Sequence, residues 1–132
     1  MEKPCILIVE DHKDFLELLK YVANAEGCYA VGVEDCNEAI ELLKHIRPSI
    51  IATDIMMSGM CGIELIKHIR DTLRLKDVPI LVISAAGEKN IAEAMAAGAT
   101  MVLRKPIDLC EFIKALREFI PEEAPNGDHS RR

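Results

Sequence analysis

Short apolar runs separated by segments of helical periodicity are the feature that most constrains this fold. Four runs are rich in β-branched residues and show no alternation between apolar and polar positions. They span residues 5–9, 49–53, 79–83 and 100–103. Strands covered on both faces of a parallel sheet have this pattern, because neither face meets water. A weaker run at 29–33 contains Gly32 and fits an edge strand, so the sequence predicts five strands.

The segments between these runs carry apolar residues at helical spacing and predict five helices. Their apolar positions fall within 15–23, 39–46, 63–73, 89–97 and 112–120. The fourth segment is rich in alanine, and its expected apolar stripe is Ile91, Ala92, Met95 and Ala96. This order predicts a doubly wound (βα)5 fold of the α/β class, with helices on both faces of a parallel sheet.

Residues at the expected helix ends agree with this order. Asp35 and Asp108 are each followed three residues later by Glu, which is the capping-box pattern. Gly27 and Gly98 lie where left-handed C-caps are expected. The sequence predicts one domain over 1–120, followed by a polar tail at 121–132 that has no periodicity and that we expect to be disordered.

Composition excludes several classes of protein. Half of the 132 residues are hydrophobic, which is too many for a disordered chain. The formal charge of −6 argues against direct nucleic-acid binding, which depends on clustered Lys and Arg. No apolar run approaches the roughly 18 residues of a membrane span, and no signal peptide precedes the first strand. We therefore expect a soluble cytoplasmic protein that has no contact with a membrane.

The five cysteines do not form a metal or disulfide pattern. They are Cys5, Cys28, Cys36, Cys61 and Cys110, which are odd in number and contain no C-x-x-C pair. We expect reduced thiols that fill small apolar sites. The four histidines show no metal-ligand spacing either, and the methionines at 56, 57 and 60 are expected to pack rather than to act chemically.

Four of the predicted strands end in a residue that can do chemistry. Glu10 and Asp11 follow the first strand, Asp54 the third, Ser84 the fourth and Lys105 the fifth. In an open α/β sheet, sites form at the carboxyl ends of the strands. Three carboxylates in one crevice repel one another unless a cation is present, and Mg²⁺ suits such oxygen ligands. Lys105 and Ser84 suit phosphoryl oxygens, so the pattern indicates phosphoryl transfer to a carboxylate.

The same residues also have purely structural interpretations. Glu10 and Asp11 could form a polar strand exit or a helix cap. Ser84 could be a turn residue, and Asp54 and Lys105 could be solvated loop residues.

From residue 4 to residue 120 the sequence resembles the receiver domain of two-component response regulators. The motifs are Glu10-Asp11 after ILIV, Asp54 at the end of IIATD, Ser84-Ala85 at the end of LVIS, and Lys105-Pro106 after GATMVLR. Each motif is weak alone, but their order and positions at strand ends are specific. The resemblance implies a flavodoxin-like sheet with strand order 2-1-3-4-5.

The resemblance also implies a role for each site residue. Asp54 would accept a phosphoryl group from the phosphohistidine of a sensor histidine kinase or phosphotransfer protein. Asp11 would bind Mg²⁺ directly and Glu10 through water, while the backbone carbonyl of Met56 would be a further ligand. The protein would promote only its own phosphorylation and dephosphorylation, without being an enzyme for other substrates.

The phosphoryl group would be read out by further residues. Lys105 would pair with it, and Ser84 would hydrogen-bond it and move. The peptide before Pro106 is expected to be cis. The change would reach the surface around the fourth helix, the fifth strand and the fifth helix. A downstream protein, or a linked output domain outside this chain, would receive the signal.

Three positions depart from the family pattern. Ser58 stands where Pro is usual, and Cys61 stands where an acidic or amide residue usually caps the third helix. Val102 replaces the switching aromatic residue that is common on the fifth strand. The phosphoacceptor set is untouched, but the readout must differ, because a β-branched side chain is stiff at χ1.

Other functions fit less well. A pseudo-receiver that signals by contacts alone usually lacks a charged site residue, and none is missing here. A haloacid-dehalogenase-like phosphatase needs a second acid two residues after its nucleophile, where this chain has Met56. A flavodoxin-like flavin carrier needs a phosphate loop after the first strand, and the acidic loop here would repel phosphate.

Overall fold

The five predicted strands form one parallel sheet in the order β2-β1-β3-β4-β5. The computed structural model describes residues 3–57 and 62–120. The strands are β1 (Cys5–Val9), β2 (Tyr29–Val33), β3 (Ile50–Thr53), β4 (Ile80–Ser84) and β5 (Met101–Arg104). The fold class, the strand order and the edge position of β2 are confirmed, and three strands begin one residue later than expected.

Burial explains why the central strands are apolar throughout. Every residue of β3 and β4 is buried, as are all of β1 after Cys5. The edge strand β2 is only half-buried beyond its exposed first residue. Side chains alternate between the faces, so that Ile6 and Ile8 lie in one apolar cluster and Leu7 and Val9 in the other.

Five α-helices cover the two faces of the sheet. They are α1 (Lys13–Ala25), α2 (Cys36–Leu43), α3 (Gly62–Lys67), α4 (Glu88–Ala97) and α5 (Leu109–Phe119). One cluster contains residues of α1 and α5, and the other contains residues of α2, α3 and α4. This two-sided burial is the doubly wound arrangement.

The predicted caps are present with small differences. The Asp35 carboxylate accepts a hydrogen bond from the backbone N–H of Glu38 at 2.8 Å, and Glu38 accepts from the N–H of Glu34 at 3.1 Å. Asp108 accepts from the N–H of Cys110 at 2.9 Å. Gly27 and Gly98 have φ values of +94° and +125°, which a residue with a side chain rarely adopts.

The third predicted helix changes geometry part-way. After α3 the chain continues as a π-helical segment, His68–Thr72, and the N–H of Leu73 donates to the carbonyl of His68 at 2.9 Å. A wider turn of this kind adds a residue to the helix without ending it. The second helix is shorter than its apolar pattern, because it ends at Leu43 rather than near Ile46.

The predicted apolar stripe of α4 is confirmed at Ile91 and is wrong at its other three positions. Its buried residues are Ile91 and Ala94, whereas Ala92, Met95 and Ala96 are exposed. An alanine-rich helix carries small apolar residues on every side, so the pattern does not define which side faces the core. Helices with larger side chains, such as α1 and α5, do not have this ambiguity.

The cysteine expectation holds only in part. Cys28 and Cys36 are buried in the two apolar clusters, but Cys110 is exposed on α5. Cys61 lies outside the described residues, as does the expected polar tail at 121–132. Within the described part of the chain, no helix is long and apolar enough to cross a membrane.

The cap of α2 can be tested by replacing Asp35 with alanine. Asp35→Ala should lower the free energy of unfolding by about 0.5–2 kcal/mol, because the N–H of Glu38 loses its acceptor. Urea unfolding followed by circular dichroism measures the change. The matched control is Glu34→Ala, which removes an exposed carboxylate one residue earlier. Equal losses in the two variants would reject a specific role for the cap.

Candidate functional site

Two acidic residues lie side by side at the carboxyl edge of the sheet. The N–H of Glu10 donates to the carbonyl of Val33 at 3.0 Å, and the N–H of Asp54 donates to the carbonyl of Val9 at 3.2 Å. These bonds extend the parallel ladders by one residue beyond β1 and β3. The backbone therefore fixes where both carboxylates begin.

Lys105 brings the two carboxylates into one cluster. Its Nζ lies 2.8 Å from Asp54 Oδ2 and 3.3 Å from Glu10 Oε1. Glu10 is only 2% exposed and Asp54 only 5%. The N–H of Lys105 donates to the carbonyl of Ser84 at 3.0 Å, which holds the lysine beside the end of β4. Three of the predicted site residues thus meet within hydrogen-bonding distance.

Burial and charge act against each other in this cluster. Burial raises the pKa of Glu10, and the nearby Asp54 charge adds to this, while the N–H of His12 and the Lys105 ammonium only partly compensate. Burial alone would lower the pKa of Lys105, but the hydrogen bonds and charges of Asp54 and Glu10 hold it above its ordinary value. Lys105 is therefore a cation at neutral pH.

The second oxygen of Asp54 is also held. The N–H of Met56 donates to Asp54 Oδ1 at 3.0 Å, which forms a short turn after β3. The Met56 side chain is 57% exposed, so the expectation that it packs is wrong. Its backbone N–H contacts the site, and its thioether accepts a long hydrogen bond of 3.9 Å from Asn90 Nδ2 on α4.

Asp11 and Ser84 do not join the cluster. Asp11 is exposed and makes no ion pair with any other residue within 3–57 and 62–120. The Ser84 side chain is fully buried, and its Oγ accepts from the N–H of Ala86 at 3.1 Å. The neighbouring Ala85 is small and exposed. Ser84 therefore shapes the loop after β4.

Gly62 allows α3 to begin against the phosphoacceptor candidate. A Cβ at this position would overlap the backbone oxygen of Asp54 and lie 2.6 Å from the Cα of Ile55. Any larger residue would push the helix or the Asp54 backbone away. The sequence pattern placed Gly62 only near a helix start, and nothing in it indicated this close approach.

Two residues of the first loop and helix were not expected in the site. The N–H of His12 donates to Glu10 Oε2 at 3.0 Å, and the His12 ring caps α1 by accepting from the N–H of Phe15. The Phe15 ring centroid lies 5.0 Å from Lys105 Nζ, at cation–π distance. Its helical spacing had indicated only an apolar face.

An open cavity of about 430 Å³ adjoins this edge of the cluster. It is lined by His12, Phe15, Lys105, Pro106 and Ile107, so apolar walls surround the lysine stem. The Lys105–Pro106 peptide is cis, as expected.

The model of the response regulator receiver domain matches residues 6–117, which is most of the chain. The chain belongs to this receiver-domain family. It is 26% identical over 116 residues to the polar-differentiation response regulator DivK of Brucella anthropi, covering 87% of this chain and 94% of that protein. A 14.6 kDa protein of Leptolyngbya boryana is 30% identical over 115 residues, covering 86% of this chain and 88% of that protein.

Solved receiver structures have the same fold. A response regulator receiver protein from Pseudomonas putida matches with a TM-score of 0.83 and 27% identity, covering 89% of this chain and 98% of that one. The non-phosphorylated HemR receiver domain of Leptospira biflexa matches with a TM-score of 0.81 and 27% identity, covering 93% of this chain and 98% of that one.

The receiver domain offers oxygen donors that suit a hard cation. The two buried carboxylates of Glu10 and Asp54 face the ammonium of Lys105, which leaves one negative charge. Burial raises the pKa of Glu10, and the N–H of His12 and the Lys105 ammonium offset this only in part. Within 3–57 and 62–120, however, no three His, Cys, Asp or Glu side chains are grouped so that they could hold a metal ion. Glu10 and Asp54 supply two carboxylates, which is the ligand type that Mg²⁺ binds.

The departures from the family pattern can be placed only in part. Ser58 and Cys61 lie outside the described residues. Val102 is half-buried on β5 and packs against the cluster that contains Ala86, Ile91 and Ala94. An aliphatic residue therefore occupies this receiver's expected switch position.

Replacing Glu10 with glutamine should stabilise the receiver at pH 7 when no metal is present. The raised pKa of Glu10 means that the folded state favours the protonated carboxyl. The stability that protonated Glu10 contributes is complete below the ordinary Glu pKa, and it is lost as pH rises through the pKa of Glu10 in the folded protein. Glutamine imitates the protonated form at every pH. The gain in melting temperature of Glu10→Gln should therefore disappear below about pH 4, near the ordinary Glu pKa.

Thermal unfolding between about pH 3 and pH 8, a range that includes the ordinary Glu pKa, checks this expectation. Glu93→Gln, which neutralises an exposed carboxylate on α4, is the matched control and should show no comparable gain. A Glu10→Gln variant that melts below the wild type at pH 7 would contradict the electrostatic interpretation.

Proposed function

We propose that this receiver accepts a phosphoryl group on Asp54, in a Mg²⁺-dependent reaction with the phosphohistidine of a sensor histidine kinase or phosphotransfer protein. The supporting observation is the contact of 2.8 Å between Lys105 Nζ and Asp54 Oδ2 in a buried cluster. A carboxylate paired with a cation at the open edge of a sheet is placed to react, because phosphoryl transfer depends on positioning and charge neutralisation.

The reaction exchanges one phosphorus bond for another. An Asp54 carboxylate oxygen attacks phosphorus, the bond from phosphorus to the histidine nitrogen breaks, and the imidazole leaves. Met56 and Lys105 orient the carboxylate by holding one oxygen each, through the backbone N–H and the ammonium. Lys105 then remains beside the oxygens of the new acyl phosphate.

Mg²⁺ would be held by Asp11, Asp54 and the backbone carbonyl of Met56, with Glu10 acting through water. When bound, it neutralises charge on the phosphoryl oxygens. The excess of buried carboxylate over ammonium supports a cation here. Asp11 supports it also, because it directly follows Glu10 in the sequence and its side chain is exposed.

The phosphorylated state would be read through the loop after β4. Ser84 would exchange its hydrogen bond from the N–H of Ala86 for one to the phosphoryl group. The surface formed by α4, β5 and α5 would change and bind a downstream protein or a linked output domain. We place the protein in the cytoplasm, where the kinase domains of two-component systems act.

Asp54 should be the only site of phosphorylation by a small phosphodonor. Incubation with acetyl phosphate and Mg²⁺ should add one phosphate to the wild type and none to Asp54→Asn, as read by intact mass. Omitting Mg²⁺ should abolish the gain. A gain that persists in Asp54→Asn contradicts the assignment. Its absence from folded wild type with Mg²⁺ favours the pseudo-receiver alternative.

Substitutions at Asp11 and Lys105 should affect different steps: Asp11 is needed for metal binding, and Lys105 for contact with the phosphoryl group. Asp11→Ala should remove Mg²⁺ binding, whereas Lys105→Ala should retain it and lose the response to beryllofluoride. Calorimetry and NMR measure both effects, because the chain contains no Trp. Asp14→Ala, an exposed acid on α1, is the matched control. Equal Mg²⁺ affinity in Asp11→Ala and wild type would reject the ligand assignment.

A further inference from the structure

The two ends of α4 are held by very different contacts. Only Ile91 and Ala94 of this helix are buried, so its apolar anchoring is small. Its attachment must then depend largely on polar contacts at its ends. A helix with so little buried surface belongs to the part of a fold that opens most easily.

The N-terminal end of α4 is held by two weak contacts, an exposed ion pair and a long hydrogen bond of 3.9 Å from Asn90 Nδ2 to Met56 Sδ. Its N-cap is Gly87, and no side chain accepts a hydrogen bond from the first turn. An exposed ion pair joins Glu88 Oε2 to Arg104 Nη2 at 3.0 Å and connects this end to β5. Arg104 lies opposite Ser84 in the sheet register and directly precedes Lys105. The pair therefore lies beside the loop that responds to the site.

The C-terminal end of α4 is held by a guanidinium. Arg70 donates to the carbonyl of Gly98 from Nε at 3.0 Å and from Nη2 at 2.8 Å. Its Nη1 donates to the carbonyls of Leu75 and Val78 at 2.8 and 2.7 Å. The half-buried side chain thus ties the helix end to the segment before β4. Such charge-assisted bonds are stronger than an exposed ion pair.

The geometry points to a lever: we propose that α4 opens from its N-terminal end about a pivot at Gly98 fixed by Arg70, and that the Arg104–Glu88 ion pair holds it closed. If the opening of α4 is controlled by phosphorylation of Asp54, this inference rests on the proposed function. The opening itself is a property of the resting chain and can be measured without phosphate.

Amide hydrogen exchange of the resting protein tests the pivot. The N–H of Ile91, bonded to the carbonyl of Gly87, should exchange faster than those of Ala99 and Thr100, which are bonded to Ala94 and Ile80. Arg104→Gln should accelerate exchange at 91–93 about two- to fivefold and leave 99–100 unchanged. Arg70→Met, which keeps the aliphatic stem, should accelerate exchange at 99–100.

Controls separate the ion pair from a general effect of charge. Lys89→Gln removes an exposed cation from the same turn and should not change exchange at 91–93. Glu88→Gln should match Arg104→Gln, and the double variant should show no added effect. The charge-reversed pair, Arg104→Glu with Glu88→Arg, should restore slow amide hydrogen exchange at 91–93. Unchanged exchange at 91–93 in Arg104→Gln, or equal exchange at both ends in the wild type, would overturn the lever.

The activated state provides a separate measurement. With Mg²⁺ and beryllofluoride, exchange should rise at 88–93 and stay low at 99–100. Comparable acceleration at both ends would also overturn the lever. If beryllofluoride changes nothing anywhere, the proposed function fails, while the comparison of Arg104→Gln with the resting wild type still decides whether α4 opens about Gly98.

Discussion

The ion pair from Lys105 to two buried carboxylates is the interaction on which the rest of the structure depends. Its groups follow β1, β3 and β5, which are not all neighbours in the sheet. They meet because parallel strands deliver all their carboxyl ends to one edge. Burying two carboxylates opposes folding, and one ammonium offsets it only in part. The apolar clusters on both faces must supply the stability that makes this site tolerable.

Much of this arrangement could be predicted because it follows from burial. A strand covered on both faces has to be apolar, so the first charged residue after it marks the edge of the sheet, as Asp54 does. The same logic placed both Glu10 and Asp11 in the crevice, but only Glu10 is buried there. Consecutive residues leave a strand in opposite directions, so one is buried and its neighbour is exposed. Two neighbouring acids in sequence therefore differ in burial.

Long-range contacts explain what could not be predicted. Arg70 is an ordinary basic residue of a helical segment, yet it bonds the carbonyl of Gly98, which is 28 residues away. Gly62 is a helix start that also has to accommodate the Asp54 backbone. Neither role leaves a periodic pattern. The buried face of α4 was predicted wrongly for a related reason, because alanine on every side of the helix gives no preferred buried face.

Val102 shows how these elements combine into a readout. An aromatic ring could turn inward beside the site. Val102 packs against the apolar cluster that also contains Ala86, Ile91 and Ala94, and it can only transmit small displacements of its neighbours. Ala86 also donates its N–H to Ser84, so any movement of that hydroxyl reaches the same cluster. Displacement there acts on a helix whose N-terminal end lacks a side-chain cap and whose C-terminal end is bound by a guanidinium. In the proposed readout, the N-terminal end of α4 is therefore the end that moves, and the signal reaches the surface without an aromatic switch.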